Sequence, residues 1–147
     1  MARFKYRMQS ILNIKKKLEE QAKNEFAAAR AALNEEEEKL KQLRLRKEYY
    51  VDQGRELRQN NLNVLALMEN QEAMLRMDQF IADQVLAVQK AEKLLEEART
   101  VLQNAMQESK TQDKLREKAF EQFRKDENAK ESKEIDELVS YTYGRKV

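Results

Sequence analysis

Apolar residues recur at every seventh position over the central part of the chain. These residues, which we call the a positions, are Leu67, Met74, Ile81, Val88, Leu95 and Leu102. Three positions after each lies a mostly small residue, and these d positions are Asn70, Met77, Gln84, Ala91, Ala98 and Ala105. Six consecutive heptads predict a coiled coil rather than a helix of a globular core. Alanine at three successive d positions predicts that a partner helix approaches closely.

The first part of the chain carries a weaker apolar pattern. Its opening residues are Phe4, Met8, Ile11, Leu18 and Ala22, with Lys15 as an interruption. After a change of register between Ala22 and Ala29, the pattern continues through Phe26, Ala29, Leu33, Glu36, Leu40, Leu43, Lys47, Tyr50, Gly54 and Leu57. The change predicts a stutter, which unwinds a supercoil locally without ending the helix. Because glycine costs about 1 kcal/mol against alanine inside a helix, we expect fraying or bending near Gly54.

An asparagine-rich segment, residues 59–63, separates the two patterns. Asparagine is a poor interior helix residue, but it suits turns and caps helix N-termini. We therefore predict an all-α fold, a long two-helix antiparallel coiled-coil hairpin forming a single domain over residues 1–147. Helix 1 is expected over about 4–58, the turn over about 59–63 and helix 2 over about 64–140, with Asn63 as its cap. One unbroken helix is the alternative.

The two predicted helices have unequal lengths. Folding about the turn places Phe4 near residues 118–120, so helix 2 overhangs from about residue 120. The overhang carries a last apolar patch with helical spacing, which consists of Ile135, Leu138, Val139 and Thr142. An apolar patch without a partner in its own chain is a candidate docking site. Packing on a second copy of the chain and disorder of the isolated end are the alternatives.

The composition argues against catalysis. The 147 residues include no His and no Cys, which removes the usual general base, the commonest transition-metal ligand and any thiolate nucleophile. A helix spreads the run of residues 35–38, four glutamates, around its circumference, so we interpret the run as solvated surface rather than a cation site. We predict a protein that is not an enzyme and that carries no cofactor and no metal.

The charge pattern narrows the choice of partners. The net charge is only +2 with both signs interleaved, whereas nucleic-acid binders show a one-sided basic field, so we expect no nucleic acid. A basic N-terminal segment, Arg3 to Lys17, either keeps the surface solvated or meets an acidic partner or an anionic membrane. The chain has neither a secretory signal nor a run of about 18 apolar residues, so we expect a cytoplasmic protein.

An aromatic pair divides between core and surface. Tyr50 lies on the apolar pattern and is expected to face the core, whereas Tyr49 is displaced from it and is a candidate exposed contact. Met77 and Phe80 are expected across from this pair on helix 2.

Three stretches resemble the bacterial flagellar FliJ proteins, and the resemblance covers the whole chain. The first is the opening Phe-Lys-Tyr-Arg-Met-Gln-Ser-Ile-Leu-Asn-Ile of residues 4–14. The second is the turn near residue 60 followed by Phe80 and Ile81, and the third is the closing Lys-Glu-Ile-Asp-Glu-Leu of residues 133–138. The family is often richer in aromatic residues near the tip, where this chain has Ala73 and Met77.

The resemblance implies a component of the flagellar type III export apparatus that is similar to the gamma stalk of rotary ATP synthases. It implies three partners: a FliI-like hexameric export ATPase, the cytoplasmic domain of a FlhA-like export gate, and export chaperones. These partners alone would hold the chain at the cytoplasmic face of the membrane. Carried over to this sequence, the ATPase-binding residues are Phe4, Ile11, Phe123, Ile135 and Leu138. The gate-binding residues are Leu43, Tyr50, Met77 and Phe80.

Two other functions are compatible with a long coiled coil. The chain could be a general export chaperone or a structural coiled coil that binds client proteins only. It could also be an amphipathic protein of the membrane surface, although the helix pair already uses its apolar seam.

Overall fold

The computed structural model describes residues 2–59 and 63–145, which form two long helices and no strand. Helix α1 spans Gln9–Gln59 and helix α2 spans Val64–Arg145. Side chains of α1 contact side chains of α2 in reverse order along the chain, as in the pairs Lys47–Asp78 and Lys15–Glu108. This confirms the predicted all-α antiparallel coiled-coil hairpin. Residues 60–62 of the predicted turn lie outside the described residues.

Helix α1 begins later than the sequence suggests. The expected start near Phe4 is wrong, because residues 2–6 are not helical and the backbone N–H of Gln9 donates to the carbonyl of Tyr6 at 3.1 Å. The positive end of a helix dipole disfavours cations, and Arg3, Lys5 and Arg7 precede the observed start. At the other end of the chain, α2 continues to Arg145, beyond the expected end near residue 140.

Asn63 caps α2, as predicted. Its side-chain Oδ1 accepts a hydrogen bond from the N–H of Ala66 at 3.3 Å, and its carbonyl accepts one from Leu67 at 3.0 Å. The side-chain bond satisfies one of the backbone donors that a helix N-terminus otherwise leaves without a partner. The start of α2 at Val64 is therefore fixed by local chemistry.

The chain divides into two compact units. The turn unit comprises Ala22–Leu102, and the terminal unit comprises Met1–Gln21 together with Gln103–Val147. Each unit contains a part of α1 and a part of α2. The single-domain interpretation of the whole chain stays a prediction.

The core of the turn unit lies between the two helices. Its buried residues are Leu33, Val88, Ala91 and Leu95, with Phe26, Ala29 and Leu40 packed against them. All twelve predicted a and d positions of α2 are at least half-buried, which confirms the six heptads. A small d residue such as Ala91 lets the opposite backbone approach, so its own side chain is only 8% exposed.

The register of the turn unit follows from contacts across the helix pair. Asn70 lies against Gly54, Lys47 pairs with Asp78, and Arg99 lies over the ring of Phe26. The numbers of these facing residues add up to 124 or 125 in every case, as a regular antiparallel pair requires.

The pattern of buried residues along α1 shows that the predicted stutter is absent. From Leu12 to Leu57, at least half-buried residues follow each other in alternating steps of three and four without a break. Lys15 and Glu19 occupy seam positions, whereas Met8 and Leu18 are 41% and 45% exposed. The prediction was wrong because it followed apolar side chains, whereas the seam here accepts the aliphatic stems of charged residues. Fraying near Gly54 was also wrong, because α1 runs through this buried residue to Gln59.

Candidate functional site

In the terminal unit, aromatic side chains of the N-terminal segment and of α2 form a cluster. The ring of Phe4 lies edge-on to Phe120 with centroids 5.2 Å apart, and the Phe123 ring is 5.4 Å away. The guanidinium of Arg116 lies 5.7 Å from the centroid of the Phe4 ring. The Nε of Arg116 donates a hydrogen bond to Oε1 of Gln9 at 3.0 Å. The predicted placement of Phe4 near residues 118–120 is therefore confirmed. The cluster holds the non-helical N-terminal segment on α2.

Next to this cluster, the contact between the helices of the terminal unit is polar. Lys15 and Lys16 form ion pairs with Glu108 and Asp113, at 2.9 and 3.2 Å. Ser109 is 3% exposed and occupies an a-type position of α2. Both ion pairs are solvent-exposed, and exposed ion pairs contribute little to stability.

The C-terminal part of α2 has an exposed apolar surface. Every residue from 128 to 144 is exposed. Among them Ile135, Leu138 and Val139 are 58%, 65% and 48% exposed. These three residues share one helix face because they are spaced three and four apart. They form a candidate surface for another molecule.

The five ATPase-binding residues taken from the resemblance all lie in the terminal unit, but they divide into two groups. Phe4, Ile11 and Phe123 are half-buried, and Phe4 packs on Phe123 from the non-helical N-terminal segment. Ile135 and Leu138 are exposed and lie about 18 Å or more further along the helix from Phe123, at 1.5 Å per residue. Only the second group is available to a partner without any rearrangement of the helix pair.

The four residues assigned to gate binding by the resemblance all lie in the turn unit, with different exposure. Met77 is 7% exposed and belongs to the core, so it supports the surface rather than forming it. Leu43 and Tyr50 are half-buried, whereas Phe80 is 51% exposed. Tyr49 is 62% exposed with its ring 5.6 Å from that of Tyr50, which confirms the predicted division of the pair.

The sequence pattern did not predict two features of the turn unit. One is the contact of Asn70 with Gly54 and the carbonyl of Tyr50, which no heptad pattern specifies. The other is a row of exposed apolar residues on the outer face of α2, which includes Leu65, Met68, Leu75 and Leu86. A search for a second heptad repeat on the b and f positions would have found this row.

Within residues 2–59 and 63–145, no group of three or more acidic side chains is arranged to hold a metal ion. Across the same described part of the chain, neither helix contains a segment long and apolar enough to cross a bilayer.

Comparison with known proteins identifies the family. The model of the flagellar FliJ protein family matches residues 4–147. The fold is similar to that of CT670 from Chlamydia trachomatis, described as a candidate YscO homolog, with a TM-score of 0.74, 21% identity and 96% of each chain covered. No curated protein matches the chain significantly. The chain therefore belongs to the flagellar FliJ family and is a component of a type III export apparatus.

Proposed function

We propose that the chain is a non-enzymatic, stalk-like coiled coil that joins two parts of the export apparatus. Its terminal unit binds the hexameric FliI-like export ATPase and promotes its assembly or activity. Its turn unit binds the cytoplasmic domain of the FlhA-like export gate. In this role the chain also assists export chaperones, and its partners hold it at the cytoplasmic face of the membrane.

The observation that carries the proposal is the exposed apolar end of α2. Ile135 and Leu138 are more than half exposed on one helix face, next to Val139. Exposed apolar patches on polar surfaces are typical of contact sites, because burying them in a partner removes apolar area from water. The flagellar family match supports a partner within the export apparatus.

The turn unit supports a second, separate contact. Phe80 is 51% exposed on α2 within this unit. Exposed aromatic residues are common anchors at interfaces. Since Ile135 and Phe80 belong to different compact units, each contact can be removed by its own substitution.

The test uses two variants and two measurements. Ile135→Glu with Leu138→Glu should abolish the stimulation of ATP hydrolysis by the cognate ATPase and leave binding to the gate domain unchanged. Phe80→Glu should weaken binding to the gate domain by roughly tenfold or more, as expected for an aromatic anchor, and leave stimulation unchanged. All three positions are exposed, so the helix pair should still form.

Leu94→Glu is the matched control, because Leu94 is 52% exposed but lies outside both proposed contacts. It should change neither measurement. Full stimulation by the Ile135/Leu138 variant would contradict the proposed ATPase contact. If exported clients bound the chain while neither the ATPase nor the gate domain did, the narrower function of client binding would be favoured.

A further inference from the structure

A second heptad repeat lies on the outer face of α2 in the turn unit. Its members, which we call the outer stripe, are Leu65, Met68, Glu72, Leu75, Gln79, Ala82 and Leu86. They follow each other in strict alternation of three and four residues, and all seven are exposed. Leu65, Leu75 and Leu86 are 66%, 62% and 64% exposed.

The outer stripe faces away from α1. At 3.6 residues per turn, the b and f positions that it occupies lie about 150° around the helix from the a and d positions. The a and d positions on the opposite side, such as Asn70 and Met77, are buried against α1. Between residues 65 and 86, α2 therefore carries apolar residues on two opposite faces, with Glu72 and Gln79 as polar members of the outer one.

The same helix provides an internal comparison. Beyond Leu86, the next b and f positions of the turn unit are Gln89, Lys93, Glu96 and Thr100, and all four are polar and exposed. The outer face of the turn unit is thus polar beyond Leu86. Within this unit, the apolar outer positions are confined to about three heptads, the length of a short helix–helix contact.

The charges beside the stripe are mainly acidic. Between residues 65 and 86, Glu69, Glu72 and Asp83 lie on or next to it and are exposed, with Arg76 as a neighbouring cation, while Lys90 lies one turn beyond its end. None of these three carboxylates forms an ion pair with another described residue. Asp78, on the other flank, is already paired with Lys47.

We propose that the outer stripe docks an α-helix of another protein whose apolar residues follow the same spacing and whose flanks are basic. The alternation of three and four residues fits a helix, because the seams of helix pairs have this period. Lysine or arginine beside the apolar residues of that helix would meet Glu69, Glu72 and Asp83. This contact does not involve Phe80 and does not rest on the proposed function.

A second copy of this chain is the less favourable occupant. Two copies of the stripe in contact would each carry the same three carboxylates and one arginine, so that like charges would face each other across the contact. Like-charge juxtaposition suppresses wrong partners in helix pairing. A helix of opposite charge removes this cost.

The probe is a pair of labelled 22-residue helical peptides with leucine at the heptad positions. One carries lysine on its flanks, and the other carries glutamate. Fluorescence anisotropy with the full chain should give binding of the lysine peptide at least about tenfold tighter than that of the glutamate peptide. This comparison uses the unmodified chain and needs no variant to fold.

Two sets of substitutions locate the site. Leu75→Gln with Leu86→Gln should weaken binding of the lysine peptide by about tenfold or more, whereas the control Leu94→Gln, which changes an exposed leucine outside the stripe, should not. Glu69→Lys, Glu72→Lys and Asp83→Lys together should reverse the preference, so that the glutamate peptide binds more tightly. Circular dichroism checks that each variant retains its helix content.

Three results would overturn the proposal. Equal binding of both peptides to the unmodified chain would show that the acidic residues beside the stripe do not select a basic helix. Unchanged binding by the Leu75/Leu86 variant would place the contact elsewhere. Sedimentation of the chain alone as a concentration-dependent dimer that the same variant abolishes would show that a second copy occupies the stripe.

Discussion

At the scale of single residues, the polar positions of the seam are specific contacts. Asn70 is 7% exposed, and its Nδ2 donates to the carbonyl of Tyr50 at 2.9 Å. Gln84 similarly donates to the backbone carbonyl of Glu36 at 2.9 Å and to its carboxylate. A buried amide that finds its acceptor only in one alignment fixes the register of a helix pair. The heptad pattern placed Asn70 and Gln84 in the seam, but their partners depend on the opposite helix and were not predictable.

Gly54 tests this argument. A Cβ at this position would lie 2.8 Å from Oδ1 of Asn70, so in Gly54→Ala the Asn70 side chain must shift, and we expect this shift to break its hydrogen bond to the Tyr50 carbonyl. Helix propensity alone predicts a gain of about 1 kcal/mol, whereas leaving a buried amide without its hydrogen bond costs about 1–3 kcal/mol. We expect a net loss of about 1 kcal/mol in the free energy of unfolding, measured with urea.

The double variant Gly54→Ala with Asn70→Ala is the control, because it removes both the clash and the amide. It should be more stable than Gly54→Ala alone. A gain in stability for the single substitution would show that Gly54 is a simple helix defect, as its sequence context suggested.

At the scale of elements, the accuracy of the sequence prediction differs between the two helices. The seam of α2 was predicted correctly from Leu67 to Ala105 because its a positions are uniformly apolar. The first turns of α1 were misassigned because Lys15 and Glu19 hold seam positions while Leu18 does not. A sequence does not distinguish a charged residue whose aliphatic stem is buried from one whose whole side chain lies in water. The contact that buries it is known only after the fold is known.

The start of α2 gives an element-scale prediction. Asn63→Ala removes the side-chain acceptor for the N–H of Ala66, and loss of an N-cap typically costs about 1 kcal/mol. We expect a loss of this size in the urea unfolding free energy. Asn63→Asp supplies an equivalent acceptor and should keep the stability of the original chain. Equal stability of the alanine and aspartate variants would contradict the role of the cap.

At the scale of the whole molecule, the two units differ in what holds their helices together. The turn unit has an apolar cluster of Leu33, Val88, Ala91 and Leu95. In the terminal unit, Leu12 is buried and Phe4 packs on Phe120 and Phe123, but between these apolar contacts the unit has the buried Ser109 and two exposed ion pairs. Apolar burial stabilises more than exposed ion pairs do. The units are thus expected to open with different free energies.

Hydrogen exchange measures this difference. Backbone amides of residues 12–21 and 103–119 should lose protection at lower urea concentrations than those of residues 29–40 and 84–95. Lys15→Leu with Ser109→Leu replaces the polar seam by an apolar one and should slow exchange in the terminal unit by about tenfold or more. Lys17→Leu, at an exposed position outside the seam, is the control. Simultaneous loss of protection in both units of the original chain would contradict the prediction.

The last seventeen exposed residues of α2, from 128 to 144, have a consequence for how the chain meets other molecules. A helical segment whose side chains are all exposed is held mainly by its own backbone hydrogen bonds, and such segments are marginal in water. Warming should therefore unwind this end gradually, like a free peptide. A protein that binds it would bury these side chains, so that binding and the completion of the helix become one event.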